Sequence, residues 1–525
     1  MSVYNFVNLS QRNKCRYCSK MKKFAIVFAA LFAGWSIQLV NSQQCSLDES
    51  LLQEIRSYDT VVKRIIDTVV SGSFKGKLFD DTAAFVDTVG ARVVGSPGLD
   101  NGIDYMLDWM TEQGFNEVHG EAITTPNWIR GNEKLEMLQP RYQSLSILGF
   151  GKSVGTQQPI EAEIIVVKDY AELEQRSDEV PGKIVVYDHK YINYGTSTMY
   201  RYSGAIEAAK RGAVAALVAA VSNIAMGLPH TGQMSYDDDE TIPRIPLASI
   251  SIDSAQMLGR MQRRGSRIVL RLSMDDVLPG NITSRNTFGQ LTGSVYPDEK
   301  VIVSGHIDSW DVGQGAQDDG GAVVMSALVI TLLKSLGLTP KRSIQAVGWT
   351  SEENGLVGVQ RYIEQHIEEI NAGKIAAAFE SDGGLFVPTG YSFAGTDHGA
   401  CVVQEIMTLF QHTNFTRFSR GNRVGSDVAY LSDLSVPTFN FQTGGDKYFW
   451  YHHAESDTMT AMDADELDEC LAVYAASAYV VADLSQNLMR SIPDPNPNAG
   501  TLTTPATVFP VIIVATVAFL RLFVG

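Results

Sequence analysis

Cysteine is scarce, with five residues in 525. Cys15 and Cys18 lie in the first twenty positions, which leaves Cys45, Cys401 and Cys470 for the rest of the chain. So few exclude a scaffold stapled by disulfides, and an odd set of three leaves at least one thiol unpaired or paired between chains. Basic charge is the second shortage. Lys and Arg number 42 against 59 Asp and Glu. Six of the basic groups fall in residues 1–42, which hold no acidic one, and Arg521 sits in the tail. Without those seven, 35 basic groups face 59 acidic ones, a charge of −24. A surface that acidic repels phosphate backbones and argues against nucleic acid as a partner. Collagen-like repeats, sustained heptads and long disordered stretches are also missing.

What is present fits a globular protein of two or three domains. Hydrophobic residues make up 45% and charged residues 19% of a chain too long for one ordinary core. Both ends carry targeting patterns. Met21-Lys22-Lys23, the apolar run Phe24 to Leu39 and the exit Asn41-Ser42-Gln43 have the layout of a secretory signal peptide. The alternatives are an uncleaved signal anchor, and translation from Met21 rather than Met1. At the other end, Asn498-Ala499-Gly500 is a trio of small residues. The polar spacer Thr501–Thr507 and the apolar stretch Val508–Gly525 follow it. That order predicts a lipid-anchor (GPI) attachment signal at Asn498. A short transmembrane helix is the rival, weakened by Pro510 and Arg521. Asn281-Ile-Thr and Asn414-Phe-Thr are glycosylation acceptors for an exported chain.

Between the ends, Leu51 to Val70 places apolar residues at helical spacing and is closed by Gly72 and Gly76. Asp80 to Gly114 predicts two further helices around the turn Gly95-Ser96-Pro97-Gly98. From about Asn127 to Asp275 short β-like runs dominate, such as Ala162–Lys168 and Gly182–Asp188, with a helix at Ser203–Gly212. From Glu299 onward strands and helices alternate. The strands are Val301–Ser304, Ser343–Thr350, Ile375–Phe379 and Pro437–Phe441. The helices are Gly320–Leu336, Gly355–Ile370, Val402–Phe410 and Ala464–Leu488. Such alternation predicts an α/β fold, a mostly parallel mixed sheet between helices, with ligands bound beyond the carboxyl ends of the strands.

Chemistry gathers at those ends. The first strand runs into Gly305-His306-Ile307-Asp308, and the next turn reaches Asp318-Asp319. The second ends in Ser351-Glu352-Glu353 and the third in Glu380-Ser381-Asp382. The last is followed by Tyr451 to Thr458, with His452, His453 and Asp457. A lone His or Asp in a loop is usually just solvated. Here each acidic group directly follows an apolar strand, and four such places share one rim. Imidazole and carboxylate are zinc ligands. Two metals roughly 3.5–4 Å apart need one bridging carboxylate and about two further protein ligands each. One bridging Asp, two His, one Glu and a further Asp meet that need. The adjacent pair Glu352-Glu353 can divide the roles of ligand and general base.

Those motifs resemble the co-catalytic di-zinc aminopeptidase/carboxypeptidase family over about residues 46–490. Asp308-Ser-Trp-Asp-Val-Gly-Gln-Gly315 and Asp457-Thr-Met-Thr460 are similar to its plasma glutamate carboxypeptidase branch. The resemblance implies two zinc ions per chain. His306 and Asp382 would hold one and Glu353 and His453 the other, with Asp318 bridging. Glu352 would be the general base, and Asp308 would orient His306, with a turn cap as its plainer role. A cis peptide is expected at Asp318–Asp319. The strand-rich stretch 127–279 resembles the protease-associated insert of exported peptidases. It interrupts a peptidase domain of residues 46–126 and 280–490, and residues 491–507 link that domain to the anchor signal. In relatives a further His often lies two positions after the ligand His, where this chain has Glu455, and His452 adjoins His453.

The reaction so implied is hydrolysis of a terminal bond of small peptides or dipeptides by an extracellular, secreted or lysosomal homodimer. Membrane contact would come only through the lipid anchor. Ser426 and Asp427 would shape the substrate pocket or cap a helix. Two rivals share the fold. A receptor-like relative should have lost ligands, and all five are present with the base. A cyclase of N-terminal glutamine would need a similar rim. Pocket shape, which decides which peptide end is cut, is not written in the periodicity.

Overall fold

The computed structural model describes residues 45–488. The basic extension, the expected signal segment, Asn498 and the apolar tail lie outside the described residues. Cys45 and Cys401 are disulfide-bonded, and Cys470 is a buried free thiol. Asn281 and Asn414 are both exposed.

The helical stretch expected over Leu51–Val70 is two helices, Glu49–Ser57 and Asp59–Val70. They break at Tyr58, whose hydroxyl donates to the Asp483 carbonyl at 2.7 Å and lies 2.9 Å from the Asp483 carboxylate. The apolar stripe continues across the break, burying Leu51, Ile55, Val62, Ile65 and Val69. Helices Lys77–Val89 and Pro97–Glu112 follow. The second opens on Pro97, with Ser96 Oγ accepting from Leu99 N–H at 3.2 Å, which satisfies one orphan donor of the first turn.

Strand β1 (Asn116–Ile129) then leads into a second sheet built wholly from residues 133–274. Its strands are β2 (Glu133–Gln139), β3 (Gln143–Leu145), β4 (Ile147–Gly149), β5 (Ile160–Val167), β6 (Ile184–Tyr187), β7 (Ala215–Ala219), β8 (Leu247–Ile250) and β9 (Val269–Met274). They lie in the order β3-β2-β9-β5-β6-β7-β8-β4. Strands β5 to β8 run parallel and are buried apolar runs, because side chains cover both faces. Ile164, Val186 and Leu217 pack on one face, and Ile165, Val185 and Tyr187 on the other.

The chain then returns to the first sheet through β10 (Val277–Leu291), which pairs antiparallel with β1. There follow β11 (Tyr296–His306), β12 (Arg342–Trp349), β13 (Ile375–Glu380), β14 (Pro388–Ala394), β15 (Arg417–Arg420) and β16 (Thr438–Thr443). The order is β1-β10-β12-β11-β13-β16-β14-β15. The four central strands are parallel, and antiparallel pairs β10·β12 and β16·β14 flank them. Helices Gly321–Ser335 and Ala464–Asp483 pack on each other and on this sheet. The first is apolar all round because neighbours bury nearly every side chain. The four parallel strands end on one rim, and that rim carries the polar cluster.

Candidate active site

Each central strand delivers its chemistry at its carboxyl end. Strand β11 ends on His306, and its continuation carries Asp308. Past β12 come Ser351, Glu352 and Glu353. Strand β13 ends on Glu380 and runs on to Asp382. After β16, the short helix Tyr448–Tyr451 presents His452 and His453. Asp318 and Asp319 stand just before the helix Gly321–Ser335, where N–H groups and the helix dipole favour an anion. The peptide between them is cis.

The carboxylate of Asp318 faces two ways. Its Oδ1 lies 3.1 Å from His306 Nε2, and Asp382 Oδ1 is 3.6 Å from the same nitrogen. Its Oδ2 lies 3.2 Å from His453 Nε2, which is also 3.0 Å from Glu353 Oε2. His452 Nε2 stands farther off, 3.7 Å from Asp318 Oδ2, with its ring stacked on His453 at 3.5 Å. Glu352 and Ser426 line the same cavity of about 360 Å³ with Asp318, Glu353, Asp382 and His453. The sequence-predicted set is therefore assembled in one place.

These side chains suit metal ions. His306 Nδ1 lies 3.0 Å from the Asp308 carbonyl and His453 Nδ1 3.2 Å from the Thr231 carbonyl. A carbonyl only accepts, so each Nδ1 carries the proton and each Nε2 is left to point its lone pair at carboxylates. That arrangement is repulsive unless a cation or proton stands between. Buried Glu353 Oε1 has no hydrogen-bond partner among the described residues. Protons show the same demand. Burial opposes charge on His306, yet Asp318 and Asp382 outweigh it and raise its pKa well above the usual imidazole range. His453, likewise buried but beside Glu353 and Asp318, rises to about 9. Burial pushes the Glu352 carboxyl well up, helped by Asp382. A pocket that makes its carboxylates and imidazoles compete for protons is one that cations would relieve.

Asp308 fills both roles that the sequence offered, through different atoms. Its carboxylate does not reach the imidazole, since Oδ1 is 3.8 Å from His306 Nδ1. Its main-chain carbonyl orients that ring instead. The carboxylate accepts from Glu352 N–H at 3.1 Å and Glu353 N–H at 3.3 Å, so it fixes the turn that carries both glutamates. Ser426 Oγ donates to Asp382, and its N–H donates to Glu380 at 2.7 Å. Asp427 begins the helix Val428–Ser432 without a side-chain cap bond, and both its oxygens are buried without partners.

Other positioning residues were not predicted. Asp457 accepts from Gln317 N–H at 2.7 Å and Asp318 N–H at 3.1 Å. Trp310 Nε1 donates to Glu353 Oε2 at 2.6 Å. Thr231, from the second-sheet region, also donates its N–H to the His453 carbonyl at 2.9 Å. This two-way bond holds His453 at φ +62°, a conformation that a non-glycine residue keeps only when its surroundings fix it. The spacing of Asp457 from His453 and the place of Trp310 in the run Asp308–Gly315 are the signals in the sequence; Thr231 carries none.

A family model for peptidase family M28 matches residues 286–478. Carboxypeptidase Q of Mus musculus is 41% identical over 470 residues, spanning 89% of this chain and 98% of that protein. Carboxypeptidase Q of Xenopus laevis is 44% identical over 443 residues, spanning 84% and 93%. Among solved structures, a peptidase M28 precursor from Shewanella amazonensis superposes with a TM-score of 0.77 at 29% identity, over 83% of this chain and 99% of that one. A zinc aminopeptidase from Bacillus subtilis gives 0.60 at 17% identity, over 79% and 97%, a likeness of fold. Similarity along nearly the whole length of the carboxypeptidase Q relatives, with the His–carboxylate rim intact, shows that the chain belongs to peptidase family M28 and is a zinc metalloexopeptidase.

Proposed function

We propose that the protein holds two zinc ions per chain and hydrolyses terminal peptide bonds of small peptides in an extracellular or lysosomal compartment. The observation that carries this reading is the division of Asp318. Its two oxygens face separate histidine–carboxylate pairs, His306 with Asp382 and His453 with Glu353. Those five side chains are the proposed ligands. Zinc bound there would supply Lewis acidity to the attacking water and to the scissile carbonyl.

The chain's own groups do the rest. Glu352, next to the ligand pair but free of it, takes the water's proton on its carboxylate and delivers it to the leaving amine nitrogen. Burial keeps its proton affinity high, which suits a group that must accept and then give. The Asp308 and Thr231 carbonyls keep the imidazoles in one tautomer, and Asp457 holds the backbone of Asp318.

Export is supported by the signal-like start, by exposed Asn281 and Asn414, and by disulfide-bonded Cys45 and Cys401. Surface attachment through a lipid at Asn498 rests on the tail's layout. Residues 127–279 form the proposed protease-associated-like insert.

Zinc content and dipeptide hydrolysis, measured on wild type and Glu352→Gln, test the mechanism. About two zincs in both proteins, with activity lost only in the variant, supports it. Metal-free wild type, or a fully active variant, refutes it.

A further inference from the structure

The second sheet has a crevice where open α/β sheets take ligands, beyond the carboxyl ends of parallel strands. Strands β5 and β6 end at Val167 and Tyr187, and a cavity of about 580 Å³ lies past them. Two helices flank it from opposite faces of the sheet. Ala205 and Ala208 of the helix Met199–Ala209 pack with Val185 and Tyr187, and Ala255 and Leu258 of the helix Ile252–Arg263 pack with Val186 and Leu217. The second helix reaches β5, where Gln262 Oε1 accepts from Val166 N–H at 2.7 Å and Nε2 donates to the Val166 carbonyl at 3.0 Å. The crevice shares no lining residue with the metal cleft, which Arg201 of the first helix lines instead.

Unpaired positive charge gathers in this crevice. Lys168, Lys190, Arg260 and Arg263 line it against two acids, Asp169 and Asp188. The four cations are exposed, and none of them makes an ion pair among the described residues. Other cations of the same region behave differently. Arg130, Arg176, Lys210, Arg211, Arg267 and Arg271 each stand 3.8 Å or less from a carboxylate. Residues 127–279 hold 17 basic and 18 acidic groups. Outside them, and without residues 1–42 and Arg521, the count is 18 against 41. The crevice is thus a basic pocket in the one part of an acidic protein that is close to neutral.

Its floor and wall are of another kind. Asp188 is half-buried, and the charges of Arg263, Arg260 and Lys168 bear on it without coming within ion-pairing distance. Gly259 lets the second helix come down on it, since a built Cβ there would stand 3.0 Å from Asp188 Oδ2. The Tyr200 ring is held flat against His189, with centroids 4.6 Å apart and planes at 14°, and His189 Nε2 lies 3.1 Å from the Ala219 carbonyl. Guanidinium forks and ammonium groups around a concave site select an anion with several oxygens, of which phosphate and sulfate fit the fork at two points. A lone carboxylate among them repels a second anionic group and accepts from hydroxyls. A fixed aromatic face packs against the carbons of a ring.

We propose that this crevice is a second binding site, for a sugar that carries one phosphate or sulfate ester. Lys168, Lys190, Arg260 and Arg263 hold the ester oxygens, Asp188 accepts from the sugar hydroxyls, and the sugar ring lies on Tyr200. The site works without metal and does not depend on the peptidase reading.

Calorimetric titration of the full chain with glucose 6-phosphate, glucose 6-sulfate, inorganic phosphate and glucose tests it, at about 0.15 M salt, where exposed charges more than about 8 Å apart are largely screened. Each titration is run on zinc-loaded and on chelated protein. One ester per chain is expected to bind with a Kd below about 1 mM in both forms. Comparison of the two esters tells which anion the crevice takes. Inorganic phosphate should bind at least about tenfold more weakly, and glucose not measurably, because each lacks half of the contacts. Arg260→Gln with Arg263→Gln should weaken the ester at least about thirtyfold at an unchanged unfolding temperature, since both side chains are exposed. Lys168→Gln with Lys190→Gln should act in the same direction. Four results overturn the proposal. Neither ester binds. An ester binds only when zinc is present, which assigns it to the metal cleft. Inorganic phosphate binds as tightly as the esters, which leaves a charged patch and no sugar site. Both double variants bind as wild type does.

Discussion

Arg130 and Asp311 form a two-point ion pair, with Nε 2.7 Å from Oδ2 and Nη2 3.0 Å from Oδ1. It ties the end of β1 to the loop between His306 and Asp318. The same guanidinium donates to Glu133 at 3.1 Å, the Gly149 carbonyl at 2.7 Å and Thr231 Oγ1 at 3.1 Å. The side chains of Arg130 and Asp311 are 11% and 20% exposed, so solvent screens the pair little. Removing one partner leaves a buried acid alone. Arg130→Met is expected to cost about 3–5 kcal/mol in denaturant unfolding. Because Thr231 also orients His453, zinc affinity should fall roughly 10–100-fold. A loss under about 1 kcal/mol with unchanged zinc titration would show that the network is idle.

Asp457 offers a cleaner test of positioning, since it touches the backbone of Asp318 rather than its carboxylate. Each of its oxygens accepts one N–H, from Gln317 and from Asp318. In Asp457→Asn one acceptor becomes an NH2 group facing another N–H. The expected loss is about 1.5–3 kcal/mol of stability, with zinc binding weakened about 10–100-fold. Equilibrium dialysis of zinc reads the second effect directly. Binding as tight as wild type would mean that Asp318 holds its place without Asp457.

The rim was readable because β11 and β13 are largely apolar and run directly into His306 and Glu380, and β12 ends one turn before Glu352 and Glu353. Strands β14 and β15 and the extent of β1 and β10 were not. β1 shows exposed and buried positions in no regular alternation, and β10 is exposed over its first half. Their pairing is decided by partners distant in the chain. Tyr58 breaks its helix through Asp483, 425 positions away, which periodicity cannot register. Spacing found His306 and Asp308 together but could not tell whether carbonyl or carboxylate holds the ring. Arg130, just past β1, and Thr231 and Arg201, from the second-sheet region, meet the rim only in three dimensions.

Removing metal should weaken the fold, not only the activity. Without zinc only protons on the imidazoles offset the clustered Asp318 and Glu353 carboxylates, and Glu353 Oε1 has no hydrogen-bond partner among the described residues. A chelator is expected to lower the unfolding temperature and zinc to restore it. Zinc at about a thousand times its Kd corresponds to roughly 4 kcal/mol per site. Magnesium, which prefers oxygen ligands, should restore little against a site with two imidazole nitrogens. An unfolding temperature indifferent to chelator and zinc would contradict metal binding at this rim.

A second acid pair, away from the rim, predicts a pH dependence of stability. Asp276 Oδ1 accepts from Gly131 N–H at 3.0 Å, and both oxygens of Glu133 lie 2.9 Å from Gly149 N. The two acids converge over Gly149, where a built Cβ would stand 2.2 Å from Glu133 Oε1 and 2.7 Å from Asp276 Oδ2. Burial, and then the neighbouring Glu133, push the Asp276 carboxyl up from 3.8 to about 7. Between those values the folded chain holds a proton that the unfolded chain releases. Unfolding then sheds protons, so stability must fall as pH rises from about 4 to about 7. Asp276→Asn keeps a donor toward Glu133 at every pH and should remove this slope. In chelated protein, the variant is expected to gain roughly 1–3 kcal/mol on wild type between pH 5 and pH 8, read from urea midpoints. A difference that stays constant across that range would mean that Asp276 ionises in the folded protein as it does in the unfolded chain.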